Sequence, residues 1–237
     1  MKPVLVVTHE RSGTHLLINI INFKNNGNFS AVGKLPQNIP HNTISYKEYV
    51  YKYLIMNSHA NFDLVSKSHH QFGFFEEHED YLFENYKIIY VQREIKDTLL
   101  SYYLFLNSDG NKNTIKDFPK LEDWVFMNPK DVGNKYFAKY PDPHVLIEPK
   151  DYVDRIILHR AGWMKHKDKL LIINYEDIIC NYPAIKIMIE TYLGRNISPR
   201  IPDINDKNFP NFVPNKGVVG AYKDYMDIEL IAKIEKK

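Results

Sequence analysis

The chain has 237 residues, of which 44% are hydrophobic and 25% are charged, a composition that is typical of a folded globular protein and excludes a disordered or fibrous one. Its 31 Lys and Arg residues and 29 Asp and Glu residues give a net charge of +2, too close to neutral for a nucleic-acid coat or a polybasic membrane binder. The single cysteine, Cys180, excludes an internal disulfide and a cysteine-based zinc cluster.

The N-terminal segment has an apolar run over residues 4–7 that stops before the charged residues Glu10 and Arg11. This run is too short for a signal peptide, and no stretch approaches the roughly 20 apolar residues of a membrane span. An α/β chain of this length commonly folds as one unit. The sequence therefore predicts a soluble, cytoplasmic protein with a single domain over residues 1–237.

Four apolar runs without polar alternation are typical of strands that are buried on both faces of a parallel sheet. They lie at residues 4–7, 63–66, 87–92 and 170–174. Segments with helical periodicity follow them, at residues 16–21, 45–57, 76–84, 96–106, 151–165, 177–193 and 227–236. Because strands alternate with helices, we predict a three-layer α/β/α fold around a central parallel sheet.

Two long stretches rich in Asn, Pro, Gly and Lys, residues 22–42 and 107–149, are predicted to be loops. Loops of this length in a compact domain usually form lids or binding loops. A third such stretch, residues 198–216, precedes the last helix. The aromatic-rich segments 46–53 and 72–83 are compatible with an acceptor pocket, but aromatic residues at helical spacing usually pack in the core, and we predict core packing for most of them.

The first candidate site is the turn between the first strand and the first helix, residues 9–15, with the sequence H-E-R-S-G-T-H. Gly13 permits a tight turn, the helix N-terminus offers N–H groups and a partial positive charge, and Arg11 adds a donor. These features predict a phosphate or sulfate cradle, and an ordinary capped turn is the alternative. The segment is not a Walker A loop, because Thr8 and Thr14 occupy its first glycine and its lysine position.

The second candidate site combines Arg93, at the end of a predicted strand, with Ser101 on the following helix. Ligands of open α/β sheets bind at the carboxyl ends of the strands. A short turn and two helical turns bring both side chains toward one phosphate. Taken alone, an arginine at the end of a strand is more often the partner in a solvated ion pair.

Together, the two segments resemble the nucleotide-binding signatures of the sulfotransferases that use 3′-phosphoadenosine 5′-phosphosulfate (PAPS), especially the cytosolic class. Residues 8–14 follow the family loop T-Y-P-K-S-G-T, and residues 93–103 match R-x-x-K-D-x-x-x-S-Y-Y at every fixed position. Three further segments occur in the family's order. Residues 67–69 resemble K-T-H, residues 175–177 match Y-E-D, and residues 215–220 resemble R-K-G-x-x-G.

The resemblance implies transfer of a sulfuryl group from PAPS to a hydroxyl or amine, which leaves 3′-phosphoadenosine 5′-phosphate (PAP) and requires no metal. His69 would act as the general base, Arg11 would neutralise charge on the departing phosphate, and Lys67 would orient the sulfuryl group. The implied donor-binding residues are Arg11, Ser12, Gly13, Thr14, His15, Arg93, Ser101, Tyr175, Asn215, Lys216 and Gly217. The implied acceptor is a small molecule or carbohydrate, with no nucleic-acid or membrane partner, and the oligomeric state stays open.

Several positions depart from the family pattern. Arg11 stands where the cytosolic class has lysine, Leu16 where it has tryptophan, and Asn215 where it has arginine. His70 is the alternative base, although neighbouring strand residues point to opposite faces and we expect His69 to reach the site. Two other functions compete with sulfuryl transfer: a catalytically degenerate PAP- or PAPS-binding protein, and a P-loop-type kinase for a nucleotide or small molecule.

Overall fold

The computed structural model describes residues 2–23, 30–31, 44–59, 65–107, 115, 117–137, 142, 144–202 and 218–237. The strands in these residues are β1 (Val4–Thr8), β2 (Ser30–Ala31), β3 (Val65–Ser68), β4 (Lys87–Gln92) and β5 (Leu171–Asn174). They form one sheet in the order β2-β3-β1-β4-β5, and every neighbouring pair is parallel. The carboxyl ends of β1, β3, β4 and β5 therefore meet at one edge of the sheet.

The helices of the described residues surround this sheet. They are α1 (Thr14–Ile21), α2 (Ile44–His59), α3 (Glu79–Asn85), α4 (Ile95–Asn107), α5 (Leu121–Trp124), α6 (Pro129–Val132), α7 (Tyr152–Met164), α8 (Tyr175–Cys180), α9 (Tyr182–Leu193) and α10 (Ile228–Glu235). Two 3₁₀ turns, Phe72–Phe74 and Glu76–His78, precede α3. Among these elements no helix combines the length and the apolar character that crossing a bilayer requires.

Both faces of the sheet are covered, as the fully buried strand β1 requires. On one face Val4 and Val6 pack with α1, α8 and α9. On the other, Leu5 and Val7 pack with α2, with the turns before α3 and with Trp163 of α7. A further apolar cluster joins α4, α5, α7 and α10. The predicted three-layer α/β/α arrangement with a central parallel sheet is confirmed.

Several predicted boundaries differ from the structure. The helix predicted over 177–193 is two helices, α8 and α9, because Asn181 leaves the helical region and Pro183 lies in the first turn of α9. The predicted loop 107–149 contains the four-residue helices α5 and α6, which are too short to show a periodicity. Residues 22–42 contain the short strand β2. Core packing is confirmed for Phe72, Phe74 and Phe75.

Candidate active site

The loop between β1 and α1 has the conformation of an anion cradle. Two of its residues have positive φ angles, Arg11 at 66° and Gly13 at 97°. The hydroxyls of Thr8 and Thr14 share a hydrogen bond of 2.5 Å across the loop. Helix α1 begins at Thr14 without a side-chain cap from Gly13. The N–H groups of its first turn therefore lie at the mouth of the loop, together with the positive end of the helix dipole.

Gly13 lies directly against the ring of Tyr175, at the start of α8. A Cβ atom at Gly13 would lie 2.4 Å from Cδ2 of Tyr175, and the φ angle is one that residues with side chains rarely adopt. We expect Gly13→Ala to lower the free energy of unfolding by about 3 kcal/mol, from backbone strain and the steric clash together, in urea unfolding at pH 7.

Gly194 provides the matched control for this substitution. Its φ angle is also positive, at 69°, but a Cβ there would meet nothing within 4 Å. Gly194→Ala should therefore lower the free energy of unfolding by the backbone strain alone, roughly 1 kcal/mol. Equal losses in the two variants would contradict the close packing of Tyr175 on the loop.

Arg93 follows β4 and lies beneath the loop, with 8% of its surface exposed. Its Nη1 donates to the carbonyl of Arg11 at 3.1 Å, and its Nη2 donates to the carbonyl of Val218 at 3.4 Å. The guanidinium carbon lies 4.5 Å from the ring centroid of Tyr175. Among the described residues, Nε of Arg93 has no hydrogen-bond partner. A buried guanidinium N–H is thus left to bind an anionic oxygen.

Arg11 and Ser101 lie side by side. Nε of Arg11 donates to Oγ of Ser101 at 3.3 Å, and the guanidinium lies 4.8 Å from the ring centroid of Phe105. Burial, with the nearby charge of Arg93, lowers the pKa of Arg11 to about 10, so the side chain stays protonated at neutral pH. The structure brings Arg11, Arg93 and Ser101 together at one end of the cradle, where two guanidinium groups favour an anion.

Lys67 and His69 alternate with buried residues at the end of β3. Nζ of Lys67 donates to Nε2 of His15 at 3.4 Å. Burial lowers the pKa of His15 to about 4, and the charges of Lys67 and Arg11 act in the same direction, so the imidazole is neutral and accepts this bond. Lys67 therefore lies at the N-terminus of α1, beside the cradle.

His69 is oriented by the backbone of β1. Its Nδ1 lies 2.9 Å from the carbonyl oxygen of Thr8 and 3.1 Å from the hydroxyl of the same residue. A carbonyl only accepts, so Nδ1 carries the proton and Nε2 holds the lone pair. Burial lowers the pKa of His69 to about 3, which keeps the ring neutral. The structure presents His69 as a neutral imidazole with a fixed tautomer.

His70 follows β3 and is fully buried. Its ring packs edge-on against Phe74 and Phe75, and its Nδ1 shares a hydrogen bond of 2.9 Å with Oγ of Ser68. Its carbonyl accepts a hydrogen bond of 3.0 Å from Nε1 of Trp163. These contacts place His70 in the core, where its ring also lies edge-on to that of His144, with 4.7 Å between the ring centroids.

A buried charge cluster below the loop was not found from the sequence. Arg155 of α7 donates to both oxygens of Glu10, at 3.0 and 2.7 Å, and to Asp142 at 2.6 Å. It also donates to Nε2 of His9 at 3.0 Å. Burial alone would raise the pKa of Glu10, but the Arg155 charge holds it well below its usual value. No spacing in the sequence connects these residues, which belong to three separate segments.

Residues 159–163 of α7, with the sequence H-R-A-G-W, contact one site residue and one core residue. Arg160 donates to the carbonyl of Arg93 at 2.8 Å, and Trp163 bonds the carbonyl of His70. Asp97 of α4 accepts from the backbone N–H groups of Gly220 and Tyr222, at 2.7 and 3.1 Å. The predicted donor-binding residues Asn215, Lys216 and Gly217 lie outside the described residues.

The arrangement combines fixed positive charge with a neutral base. Arg11, Arg93 and Lys67 surround the N-terminus of α1, and His69, which like Lys67 lies at the end of β3, is bonded to Thr8 at the end of β1. Positive charges that are fixed in place stabilise an anionic group during its transfer. A neutral imidazole takes a proton from an incoming nucleophile. The site is thus equipped to transfer an anionic group to a protic acceptor.

Comparisons with known proteins agree with this chemistry. A family model for the sulfotransferase domain matches residues 1–237. Among curated proteins, the amine sulfotransferase of Oryctolagus cuniculus is 25% identical, over 60% of this chain and 50% of its own length. The chain thus spans about half the length of this relative.

Solved structures of the same fold cover nearly the whole chain. A mouse sulfotransferase complexed with PAP has a TM-score of 0.61 at 17% identity, covering 99% of this chain and 82% of its own. Retinol dehydratase in complex with androsterone and PAP has a TM-score of 0.58 at 16% identity, covering 99% and 78%. A sulfotransferase from Alicyclobacillus acidocaldarius has a TM-score of 0.54 at 12% identity, covering 100% and 90%.

Proposed function

The chain belongs to the sulfotransferase family, and from this we propose that it transfers a sulfuryl group from PAPS to a hydroxyl or amine of an acceptor. One observation carries the proposal: the neutral His69, bonded through Nδ1 to Thr8, lies beside a cradle that contains Arg11 and the N-terminus of α1. The crystallised relatives that contain PAP support the choice of donor.

The residues of the cradle fit the two anionic groups of this donor. We assign the 5′-phosphosulfate to Arg11, Ser12, Gly13, Thr14 and His15, where first-turn N–H groups and a guanidinium converge. We assign the 3′-phosphate to Arg93, whose Nε lacks a partner among the described residues, and to Ser101, with Asn215, Lys216 and Gly217 as further ligands. Tyr175 would lie beside the adenine.

The described residues support an in-line transfer. His69 takes the acceptor's proton on Nε2 while the new bond to sulfur forms. Arg11 and Lys67 stabilise negative charge that collects on the sulfuryl oxygens and on the bridging oxygen. As this bond forms, the S–O bond to the 5′-phosphate breaks, and the phosphate keeps the electron pair. The protein supplies position, fixed charge and a base, without a metal in this proposal.

We also propose the setting of the reaction. Residues 1–237 would form one sulfotransferase domain in the cytoplasm, and the acceptor would be a small molecule or carbohydrate and not a nucleic acid or a membrane. A catalytically degenerate PAP-binding protein is the second candidate, because the Arg11 guanidinium that replaces the family lysine is engaged with Ser101 and Phe105.

Ligand-dependent stabilisation tests the donor. PAP at about 100 times its dissociation constant should raise the free energy of unfolding by roughly 2.7 kcal/mol, because it binds only the folded state. Thermal unfolding with PAP, compared with ATP and Mg²⁺, measures this. Stabilisation by ATP and none by PAP would contradict the proposal in favour of a kinase. PAP binding without transfer from PAPS to any acceptor in a broad panel would favour the degenerate protein.

A further inference from the structure

Asp97, in the first turn of α4, is a carboxylate that is buried against the backbone of a distant segment. It is 1% exposed. Its Oδ2 accepts from the N–H of Gly220 at 2.7 Å, and its Oδ1 accepts from the N–H of Tyr222 at 3.1 Å. The neighbouring Lys96 pairs with two glutamates instead. Because a buried carboxylate is costly unless hydrogen bonds compensate for its lost hydration, these two bonds fasten residues 218–222 to α4.

The backbone of the turn at residues 218–222 suits a carboxylate. Gly220 has a φ angle of 78°, and the 3₁₀ turn Ala221–Asp224 begins directly after it. Backbone N–H groups around a left-handed residue form a concavity that binds anionic oxygens. In this protein Asp97 occupies that concavity. The N–H groups of Gly220 and Tyr222 are therefore engaged within the protein, and the turn offers the site a carbonyl.

That carbonyl belongs to Val218 and accepts from Arg93. Nη2 of Arg93 donates to it at 3.4 Å, and Nη1 donates to the carbonyl of Arg11 at 3.1 Å. A guanidinium is planar and its donors have a fixed relative geometry, so two anchored Nη groups set the direction of Nε. Nε is the buried donor that has no partner among the described residues, and it is the one that the proposed function gives to the 3′-phosphate.

We propose that Asp97 is a positioning residue for the 3′-phosphate: it holds the turn at residues 218–222, and the carbonyl of Val218 in that turn fixes the guanidinium of Arg93. The inference rests on the proposed function and adds a determinant of its donor specificity. The 5′-phosphosulfate, which we assign to the N-terminus of α1, does not depend on this turn. Asp97 therefore contributes to the selection of PAP over adenosine 5′-monophosphate (AMP), which lacks only the 3′-phosphate.

Calorimetric titrations with PAP and with AMP test the inference. Asp97→Asn keeps one oxygen as an acceptor and turns an N–H₂ group toward the other backbone N–H, so one of the two bonds is lost. We expect the affinity for PAP to fall about tenfold, as the loss of one charge-assisted bond gives, and the affinity for AMP to change less than about twofold. Asp97→Ser, which offers one hydroxyl oxygen, should act in the same direction and provides a second variant if the first does not fold.

A double variant tests whether Asp97 acts through Arg93. Arg93→Gln removes the guanidinium, so Asp97→Asn in this background should lower the affinity for PAP by less than about twofold more. Two residues that act independently would instead give losses that add. Additive losses would thus refute the link through Val218.

Asp227→Asn is the matched control. Asp227 also accepts a backbone N–H, that of Leu230 at 2.7 Å, but it caps α10 and contacts no part of the turn at residues 218–222. This variant should keep both affinities. An equal loss of PAP and AMP affinity in Asp97→Asn, or no loss of either, would overturn the inference. An unmodified protein that binds PAP no more tightly than AMP would instead overturn the 3′-phosphate site of the proposed function.

Discussion

Replacing His69 with alanine should lower the rate of sulfuryl transfer by roughly 10²–10⁴-fold, the range by which a positioned general base accelerates a reaction. The affinity for PAP should change by less than about threefold, because the imidazole contacts Thr8 and none of the cationic side chains that we assign to the phosphates. Steady-state kinetics with saturating PAPS, together with calorimetric titration of PAP, separates the two quantities.

His70 provides the control for this substitution. His70→Gln should reduce the free energy of unfolding, because the side chain is fully buried, but it should leave transfer largely intact since the ring faces Phe74 and Phe75. The roles would be reversed if only the His70 variant lost transfer. Loss of PAP binding in His69→Ala would show instead that His69 holds the donor.

Arg155→Met should lower the free energy of unfolding by about 3–5 kcal/mol, since removing one partner of a buried ion pair leaves an uncompensated charge. Both oxygens of Glu10 and one of Asp142 lose their donor, and the methionine side chain can replace none of these bonds. Urea unfolding near pH 7, followed by circular dichroism, measures the change.

Two further variants identify the cause of that loss. Adding Glu10→Gln to Arg155→Met should recover part of the stability, because the buried carboxylate is then neutral. The exposed pair of Lys169 and Glu79 provides the comparison, because Lys169→Met should leave the free energy of unfolding nearly unchanged. A loss below 1 kcal/mol in Arg155→Met would contradict the view that this cluster is a major support of the loop.

Lowering the pH should weaken the same cluster in the unmodified protein. The Arg155 charge holds the pKa of Glu10 well below its value in the unfolded chain. A carboxylate with a lowered pKa stabilises the fold above its unfolded pKa, and this contribution is lost as the pH falls through the folded value.

The sequence predicted those parts of the fold that short, contiguous segments of the chain determine. The strand β4 has the predicted bounds, because six consecutive residues without polar alternation are typical of a strand that is buried on both faces of a sheet. The turn between β1 and α1 could be predicted for a similar reason, since residues 8–14 are contiguous in the chain. The break between α8 and α9 was missed because the apolar periodicity continues across it, although Asn181 is not helical.

The buried charge cluster of Glu10, Asp142 and Arg155 could not be predicted, because its residues are distant in sequence. Glu10 and Arg155 are 145 residues apart, and only the packing of α7 under the loop brings them together. Asp142 lies in a stretch that was predicted to be a loop. A glutamate in a phosphate-binding turn is unusual and suggests a buried cationic partner. The sequence alone does not say which of several arginines is that partner.

The alternation at the end of β3 limits how this chain can vary in length. Lys67 and His69 are partly exposed on the side of the site, and Ser66, Ser68 and His70 are buried on the other. Adding one residue before Lys67 would put Ser66 and Ser68 in the places of the ammonium and the imidazole, and removing one would put Ser68 and His70 there. We expect natural variants to tolerate insertions in the segments around α5 and α6, and to keep the length of β3 constant.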